Sequence, residues 1–222
     1  AGLCTWAAEG ELDAPDSVMT RALGDGAPIG DVLDGKAAVV IGPGLGQAGA
    51  AAARVREVLA AGVPAVLDAD ALNLLAQDPA AIAGARGPVV ITPHPGEAGR
   101  LLGISAGEIE ADRIAAARKL ADKTKAVVVL KGARTIVVGD DGVCAINPTG
   151  GPALGTGGSG DVLAGTIGAL LAQKLSATDA ARVGVWVHGA AGDRLAVTFG
   201  DRGVVSSDLA DAIAAEIHAL TA

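Results

Sequence analysis

Short β-branched runs alternate with alanine-rich stretches along the first half of the chain, and this alternation restricts the fold more than any other feature. The predicted strands and helices come in turn as residues 36–41, 49–61, 64–67, 71–76, 88–92 and 104–123. A strand, a helix and a second strand in succession form a unit whose strands run parallel. These strands are almost entirely apolar, as expected when helices cover both faces of a sheet. The sequence therefore predicts a layered α/β domain.

The second half of the chain begins with strands and ends in helices. Predicted strands occupy residues 126–131, 135–138 and 143–147, and the predicted helices occupy residues 161–174, 177–196 and 206–220. The sequence GDDG at residues 139–142 is a turn signal, so we expect an antiparallel hairpin there. Residues 7–35 are rich in Asp, Gly and Pro and are interpreted as a surface connection, in which residues 15–23 are a candidate helix.

The amino-acid composition limits the number of domains and the kinds of partner that the chain can bind. With 222 residues, 50% of them hydrophobic, the chain can bury one sizeable core, and we expect a single domain over residues 1–222. The formal net charge of −8 argues against nucleic acid or anionic membrane, because both bind basic surfaces. No apolar run reaches the roughly 18 to 20 residues of a membrane span. Cys4 and Cys144 lie far apart without metal-ligand spacing, so we expect free thiols and a cytoplasmic location.

A glycine-rich segment, GTGGSGD at residues 155–161, precedes a predicted helix. Glycines let successive backbone N–H groups converge, and the helix dipole adds positive potential, so the segment is typical of a phosphate site. Asp161 would be repelled by phosphate, but as a general base it would take a proton from a hydroxyl that attacks phosphorus. A short GxGD motif alone is more simply a turn with an acid in the first helical turn. The density of glycine here favours the phosphate site.

A second glycine pattern supports a competing hypothesis. Gly44, Gly46 and Gly49 form a GxGxxG sequence between a predicted strand and a predicted helix, and Asp68 follows the next strand. This spacing is that of a dinucleotide-binding dehydrogenase, whose acid binds a ribose hydroxyl. The fingerprint is short enough to recur by chance, and it leaves the glycine-rich segment at residues 155–161 unexplained.

Five further segments, taken together, carry a resemblance to a known family. They are VIGPGLG at 40–46, LDADALN at 67–73, VVITPHPGE at 89–97, VLKGART at 129–135 and NPTG at 147–150. With the glycine-rich segment they resemble the ADP-dependent NAD(P)H-hydrate dehydratases, a branch of the ribokinase-like superfamily. The resemblance covers residues 2–220, and TPHPGE is its most specific part. It implies a ribokinase-like three-layer α/β/α fold with a mostly parallel central sheet.

The resemblance also implies a reaction and a set of roles. ADP, or ATP, would phosphorylate the 6-hydroxyl of hydrated NADH or NADPH, and loss of phosphate would restore the reduced nicotinamide, with AMP released from ADP. Asp161 is the implied general base. The implied nucleotide-binding residues are Lys131, Gly132, Ala133, Arg134, Thr135, Gly157, Gly158, Ser159 and Gly160. The implied substrate-binding residues are Gly44, Gly46, His94 and Asp161.

Several polar residues have roles that the sequence leaves open. Glu97 is a candidate for holding Mg²⁺ through water, and equally an acid in the first turn of a helix. Asp68, Asp70 and Asn73 follow a strand, where they either line the pocket or cap the next helix. His188 lies on a late predicted helix, where we expect it, like Asp193, to pack or to face solvent.

The N-terminus departs from the family pattern. Members usually carry a further strand, glycine-rich turn and helix before the strand that residues 3–6 resemble. We therefore expect a fragment, or half of a two-function protein that acts with a fused or separate NAD(P)H-hydrate epimerase. A bare edge strand would also favour a homo-oligomer.

Two alternatives share the phosphate site. A small-molecule kinase for a sugar or vitamin precursor would use the same glycine-rich segment and the same Asp161, but would leave a stable phosphorylated product. A non-catalytic nucleotide-binding module would bind the nucleotide without turnover.

Overall fold

The structure is a computed structural model that describes residues 2–10 and 13–222, and its main sheet has six strands. The strands are β1 Cys4–Glu9, β2 Val18–Leu23, β3 Val39–Ile41, β4 Ala65–Leu67, β5 Val89–Ile91, β6 Val127–Leu130, β7 Ile136–Val138 and β8 Cys144–Ile146. Strands β3 to β8 lie side by side in chain order. The pairs from β3 to β6 are parallel, whereas β6–β7 and β7–β8 are antiparallel. The mostly parallel sheet and its closing hairpin are confirmed.

Helices cover both faces of this sheet. They are α1 Gly30–Leu33, α2 Ala51–Ala61, α3 Ala69–Leu75, α4 Ala80–Ala83, α5 Pro95–Leu102, α6 Ala106–Ala111, α7 Arg113–Thr124, α8 Ser159–Ala172, α9 Ala177–Phe199 and α10 Leu209–Thr221. Alternate strand residues face opposite layers: Leu67 belongs to the core beneath α2, α5 and α7, and Val66 to the core beneath α8 and α9. Helix α10 packs on the outer side of α9. The domain is a three-layer α/β/α structure.

The helix predicted over residues 104–123 is two helices. Asp112 separates α6 from α7, because its φ of −148° and ψ of 81° are not helical. Its carboxylate accepts a hydrogen bond from the backbone N–H of Ala115 at 2.9 Å and so caps α7. Arg113 thereby becomes the first residue of α7.

The helix predicted at residues 15–23 is wrong, because this segment contains strand β2. β2 pairs in parallel with β1 in a separate two-stranded sheet, in register from Cys4 opposite Val18 to Glu9 opposite Leu23. Buried Arg54 of α2 fixes the segment to the domain, since its guanidinium donates to the carbonyls of Gly24 and Ala27 at 3.1 and 3.3 Å. The same guanidinium pairs with Glu9 at 2.7 Å. Long-range pairing has overridden the local pattern.

Strand β3 is an edge of the main sheet, and in the described part of the chain no strand lies beyond it. The homo-oligomer expected from a bare edge stays a prediction. None of the helices within residues 2–10 and 13–222 combines the length and the apolar character that crossing a membrane requires.

Candidate active site

Charged side chains converge at the carboxyl ends of strands β4, β5 and β6, where ligands of open α/β sheets bind. Asp68 follows β4 and Lys131 follows β6, and the two form an ion pair of 2.7 Å between Nζ and Oδ1. Glu97, in the first turn of α5 after β5, places its Oε2 3.9 Å from the same Nζ. Asp68 and Glu97 are only 1% and 5% exposed. The ammonium group of Lys131 therefore lies between two buried carboxylates.

This cluster touches the glycine-rich segment at the start of α8. A Cβ placed on Gly160 would lie 3.3 Å from the Nζ of Lys131 and 3.9 Å from Oδ2 of Asp68. Asp161 follows in the first turn of α8 and is exposed. Desolvation and the nearby carboxylate of Asp68 raise its pKa, while the ammonium of Lys131 opposes the rise. The structure thus brings three predicted site residues together: Lys131, Gly160 and Asp161.

Gly158 and Ser159 form the turn at the N-terminus of α8. Gly158 is its N-cap residue with a left-handed φ of 82°, and a Cβ there would come within 2.9 Å of the Ser206 hydroxyl. The hydroxyl of Ser159 faces inward, 3.3 Å from Nε2 of His188. Ser159 is buried, and its backbone N–H donates to the carbonyl of Thr156 at 3.3 Å.

His188 of α9 supports this turn from behind. Its Nε2 lies 3.0 Å from the carbonyl oxygen of Ser159, so that nitrogen carries the hydrogen and donates. Burial lowers the pKa of His188 to about 4, and the imidazole is neutral near pH 7. Of the two expected positions for His188, packed or facing solvent, the structure has the packed one. Asp193 is exposed, and its carboxylate accepts from the backbone N–H of Gly150 at 2.9 Å.

If the glycine-rich segment binds ADP, as the resemblance implies, replacing His188 by leucine should weaken that binding about tenfold, equivalent to about 1.4 kcal/mol. The carbonyl of Ser159 would lose its donor, and the turn that presents the α8 N-terminus would lose its support. Isothermal titration with ADP measures the effect. Thr124→Val is the matched control, because it removes another buried bond, from the Thr124 hydroxyl to the Leu120 carbonyl at 2.7 Å. Equal losses of affinity in both variants would contradict a local role for His188.

His94 and Glu97 form the N-terminal cap of α5. The backbone N–H of Gly96 donates to Nδ1 of His94 at 3.0 Å, so the other ring nitrogen carries the hydrogen. Glu97 accepts from the backbone N–H of His94 at 2.8 Å and lies in the first turn of α5, as one of its two interpretations predicted. Burial raises the pKa of Glu97, opposed by the His94 backbone bond and by Lys131. The imidazole of His94 is half exposed, and its Nε2 lies 3.5 Å from Oε1 of Glu97.

The loop after β3 is held by Asp70. The backbone N–H of Gly46 donates to Oδ2 of Asp70 at 2.9 Å, and the Gln47 side chain donates to Oδ1 at 3.0 Å. Asp70 therefore organises the loop that carries Gly44 and Gly46. Asn73, in α3, accepts from Arg100 at 2.9 Å.

This geometry does not match the dinucleotide turn of a dehydrogenase. In that turn the glycines lead straight into the helix N-terminus, and the acid of the next strand is free to bind ribose. Here α2 begins at Ala51, beyond the GxGxxG sequence, and the carboxylate of Asp68 is buried against Lys131.

Residues 131–135 form an exposed loop between β6 and β7, and the residue that holds this loop, Arg113, lies in none of the sequence motifs. The guanidinium of Arg113 donates to the carbonyls of Leu130 and Lys131, each at 3.2 Å, and to that of Ala133. The sequence contains one indication of this role. Arg113 is the first residue of α7, where a positive charge is unfavourable because it opposes the helix dipole.

No group of three or more His, Cys, Asp and Glu side chains is arranged to hold a metal ion within the residues that the structure describes.

Comparison with known proteins identifies the family. A family model described as NAD(P)H-hydrate dehydratase matches residues 8–215 of this chain. The chain belongs to the NAD(P)H-hydrate dehydratase family. The match includes all the site residues described above.

Relatives with curated names agree with this assignment. The bifunctional NAD(P)H-hydrate repair enzyme of Moorella thermoacetica is 49% identical over 174 residues, 78% of this chain and 33% of that protein. The ADP-dependent (S)-NAD(P)H-hydrate dehydratase of Neisseria meningitidis is 44% identical over 178 residues, 78% of this chain and 60% of that protein. The chain thus spans about a third of the first relative and less than two thirds of the second.

A solved structure confirms the ribokinase-like fold. The ADP/ATP-dependent NAD(P)H-hydrate dehydratase of Bacillus subtilis, co-crystallised with ATP and Mg²⁺ and soaked with CoA, superposes with a TM-score of 0.76. It is 29% identical, and the match covers 91% of this chain and 74% of that one.

Proposed function

We propose that the chain carries the catalytic domain of an ADP-dependent (S)-NAD(P)H-hydrate dehydratase, which returns hydrated NADH or NADPH to the reduced dinucleotide. The observation that carries this proposal is the position of Asp161. It is an exposed carboxylate in the first turn of α8, beside the backbone N–H groups of the glycine-rich segment and close to Lys131. A base next to an anion site is the arrangement that phosphorylation of a hydroxyl requires.

In the proposed reaction the terminal phosphate of the nucleotide binds at the N-terminus of α8, where Gly157, Gly158 and Gly160 present backbone. Asp161 takes the proton of the ring hydroxyl, and the oxygen of that hydroxyl attacks the terminal phosphorus. The bond between this phosphorus and the oxygen of AMP then breaks. Phosphate then leaves with the carbon–oxygen electron pair, and the neighbouring ring carbon loses a proton to restore the double bond. Phosphorylation helps because phosphate is a far better leaving group than hydroxide.

The proposal assigns the remaining roles to Lys131, to His94 and to the loop of Gly44 and Gly46. Lys131, between its two carboxylates and next to Gly160, is placed to neutralise developing charge on the phosphate. His94 presents a half-exposed imidazole at the end of β5 to the dinucleotide. The loop of Gly44 and Gly46 is preorganised by Asp70 to line the same crevice.

Mg²⁺ would bind at this site together with the phosphates of the nucleotide. Its chemistry would be to neutralise phosphate charge, and its preferred ligands are oxygens, including water. Glu97 offers a buried carboxylate, but that group already accepts from the His94 backbone. Glu97 would therefore hold the ion through water rather than directly.

The decisive experiment mixes the chain with the S epimer of hydrated NADH or NADPH, Mg²⁺ and either ADP or ATP. We expect the near-ultraviolet absorbance of the reduced nicotinamide to appear together with free phosphate, and only with nucleotide. Use of the S epimer makes the assay independent of an epimerase. A stable phosphorylated product would indicate a kinase instead. Protection by ADP against thermal unfolding, without absorbance gain, would indicate a binding module.

The acidic limb of the pH–rate profile is expected to move when Lys131 is changed. Asp161 must be ionised to act as base, so activity falls as the pH drops through its pKa, which desolvation and Asp68 already raise. The Lys131 ammonium lowers that pKa. In Lys131→Met the limb should therefore shift to higher pH, as measured from kcat/KM against pH.

Lys119→Met is the control for the loss of one positive charge, because Lys119 is exposed on α7. An unchanged acidic limb in Lys131→Met would contradict Asp161 as the titrating base.

A further inference from the structure

We propose that Arg113 is a positioning residue for the nucleotide: it pins the carbonyls of the loop at residues 131–135 and leaves the backbone N–H groups of that loop for the ligand. The inference rests on the proposed function, because it assigns a supporting residue to the nucleotide subsite. Arg113 lies outside every motif by which the family resemblance was found.

The contacts of Arg113 are directed at one short stretch of backbone. Its Nη2 donates to the carbonyls of Leu130 and Lys131, and its Nη1 donates to that of Ala133. The side chain is 15% exposed, and its nearest acidic partner is Glu110 at 3.8 Å from Nε. The buried Nε donates no hydrogen bond. The cation is thus satisfied chiefly by main-chain oxygens.

The loop needs glycine where the guanidinium approaches. Gly132 has φ 138°, and a Cβ there would lie 2.8 Å from Nη2 of Arg113. Arg134 also has a positive φ, 58°. Left-handed residues in a turn make neighbouring N–H groups converge and form a concave site for anions and acceptors.

The N–H groups of this loop are available to a ligand. Within the described residues, the backbone N–H of Lys131 donates to the Pro93 carbonyl at 2.8 Å, whereas those of Gly132, Ala133 and Arg134 donate to no other backbone group. The guanidinium of Arg113 holds the loop carbonyls, whereas the N–H groups of Gly132, Ala133 and Arg134 stay free. The loop therefore offers hydrogen-bond donors to a ligand, and the cation behind them adds positive potential. A nucleotide, which carries phosphate and purine acceptors, is the ligand class that suits such a loop.

Only arginine supplies this geometry. Its planar fork reaches several oxygens at once, whereas a lysine ammonium is a single point of charge on a flexible stem. The matched comparison is Arg54, a buried arginine that also donates to two loop carbonyls, those of Gly24 and Ala27, in a different part of the domain.

The test compares Arg113→Lys with Arg54→Lys by isothermal titration with ADP and by thermal unfolding. We expect Arg113→Lys to raise the Kd for ADP about tenfold or more, with kcat at saturating ADP within about threefold of wild type, which is under one kcal/mol in the barrier. Arg54→Lys should lower the unfolding temperature without changing the Kd. Hydrogen exchange of the loop amides in the free protein should rise in Arg113→Lys alone.

Undiminished ADP affinity in Arg113→Lys, or equal weakening in both variants, would overturn the positioning role. ADP binding is measured apart from turnover, so the two proposals fail separately. Wild-type protein that binds ADP but never dehydrates the substrate would contradict the proposed function, whereas weaker ADP binding in Arg113→Lys alone would still support the role of Arg113.

Discussion

Asp161→Asn is expected to lower kcat by about a hundredfold to ten-thousandfold, the range for loss of a general base. The amide cannot take the proton from the attacking hydroxyl, but it keeps the size and position of the carboxylate. ADP should bind at least as tightly, since a negative charge that repels phosphate is gone. The measurement pairs the nicotinamide absorbance assay at saturating ADP with the Kd for ADP from titration.

Asp211→Asn is a matched control for this change. Asp211 is an exposed acid in the first turn of α10, as Asp161 is in α8. Both substitutions therefore remove a favourable charge from a helix N-terminus, at a cost of about 0.3–1 kcal/mol. Only Asp161→Asn should lose turnover. A variant with asparagine at residue 161 that retains most of its rate would remove Asp161 from the mechanism.

Sequence patterns predicted the part of the fold that depends on local hydrophobicity. Strands such as β4 and β5 are buried at every residue, so their apolar character is visible without the structure. The two-stranded sheet could not be predicted in this way, because β2 is exposed along most of its length and exists by pairing with β1. Its stability comes from long-range hydrogen bonds and from Arg54, which a local pattern does not contain.

The candidate active site, like the fold, has one part that the sequence indicates and another that it does not. Parallel strands end at one edge of a sheet, and Asp68 after β4 meets Lys131 after β6 at that edge. Arg113 and His188 act from helices onto the backbone of other segments, 17 and 29 residues distant in sequence from Leu130 and Ser159. Side chains that bind main chain have no complementary residue in the sequence, so the structure is needed to identify their partners.

Gly42→Ala is expected to destabilise the domain by more than about 3 kcal/mol, since the new methyl group would strike backbone rather than a flexible side chain. Gly42 has φ 127°, and its Cβ would lie 1.8 Å from the carbonyl oxygen of Asp68 and 2.8 Å from the carbonyl carbon. The start of α3 would have to move, and the carboxylate that anchors Lys131 would move with it. Stability from urea unfolding and the rate of dehydration should therefore fall together.

Gly44→Ala separates this clash from backbone strain. Gly44 also has a positive φ, 65°, but a Cβ there would meet no atom within 4 Å. Its substitution should cost only the left-handed penalty of an ordinary residue, roughly 1–2 kcal/mol. If both variants lose the same stability, the close approach of β3 and α3 does not hold the site. If Gly42→Ala loses far more, the absence of a side chain at residue 42 sets the position of Asp68, and through it the ion pair with Lys131.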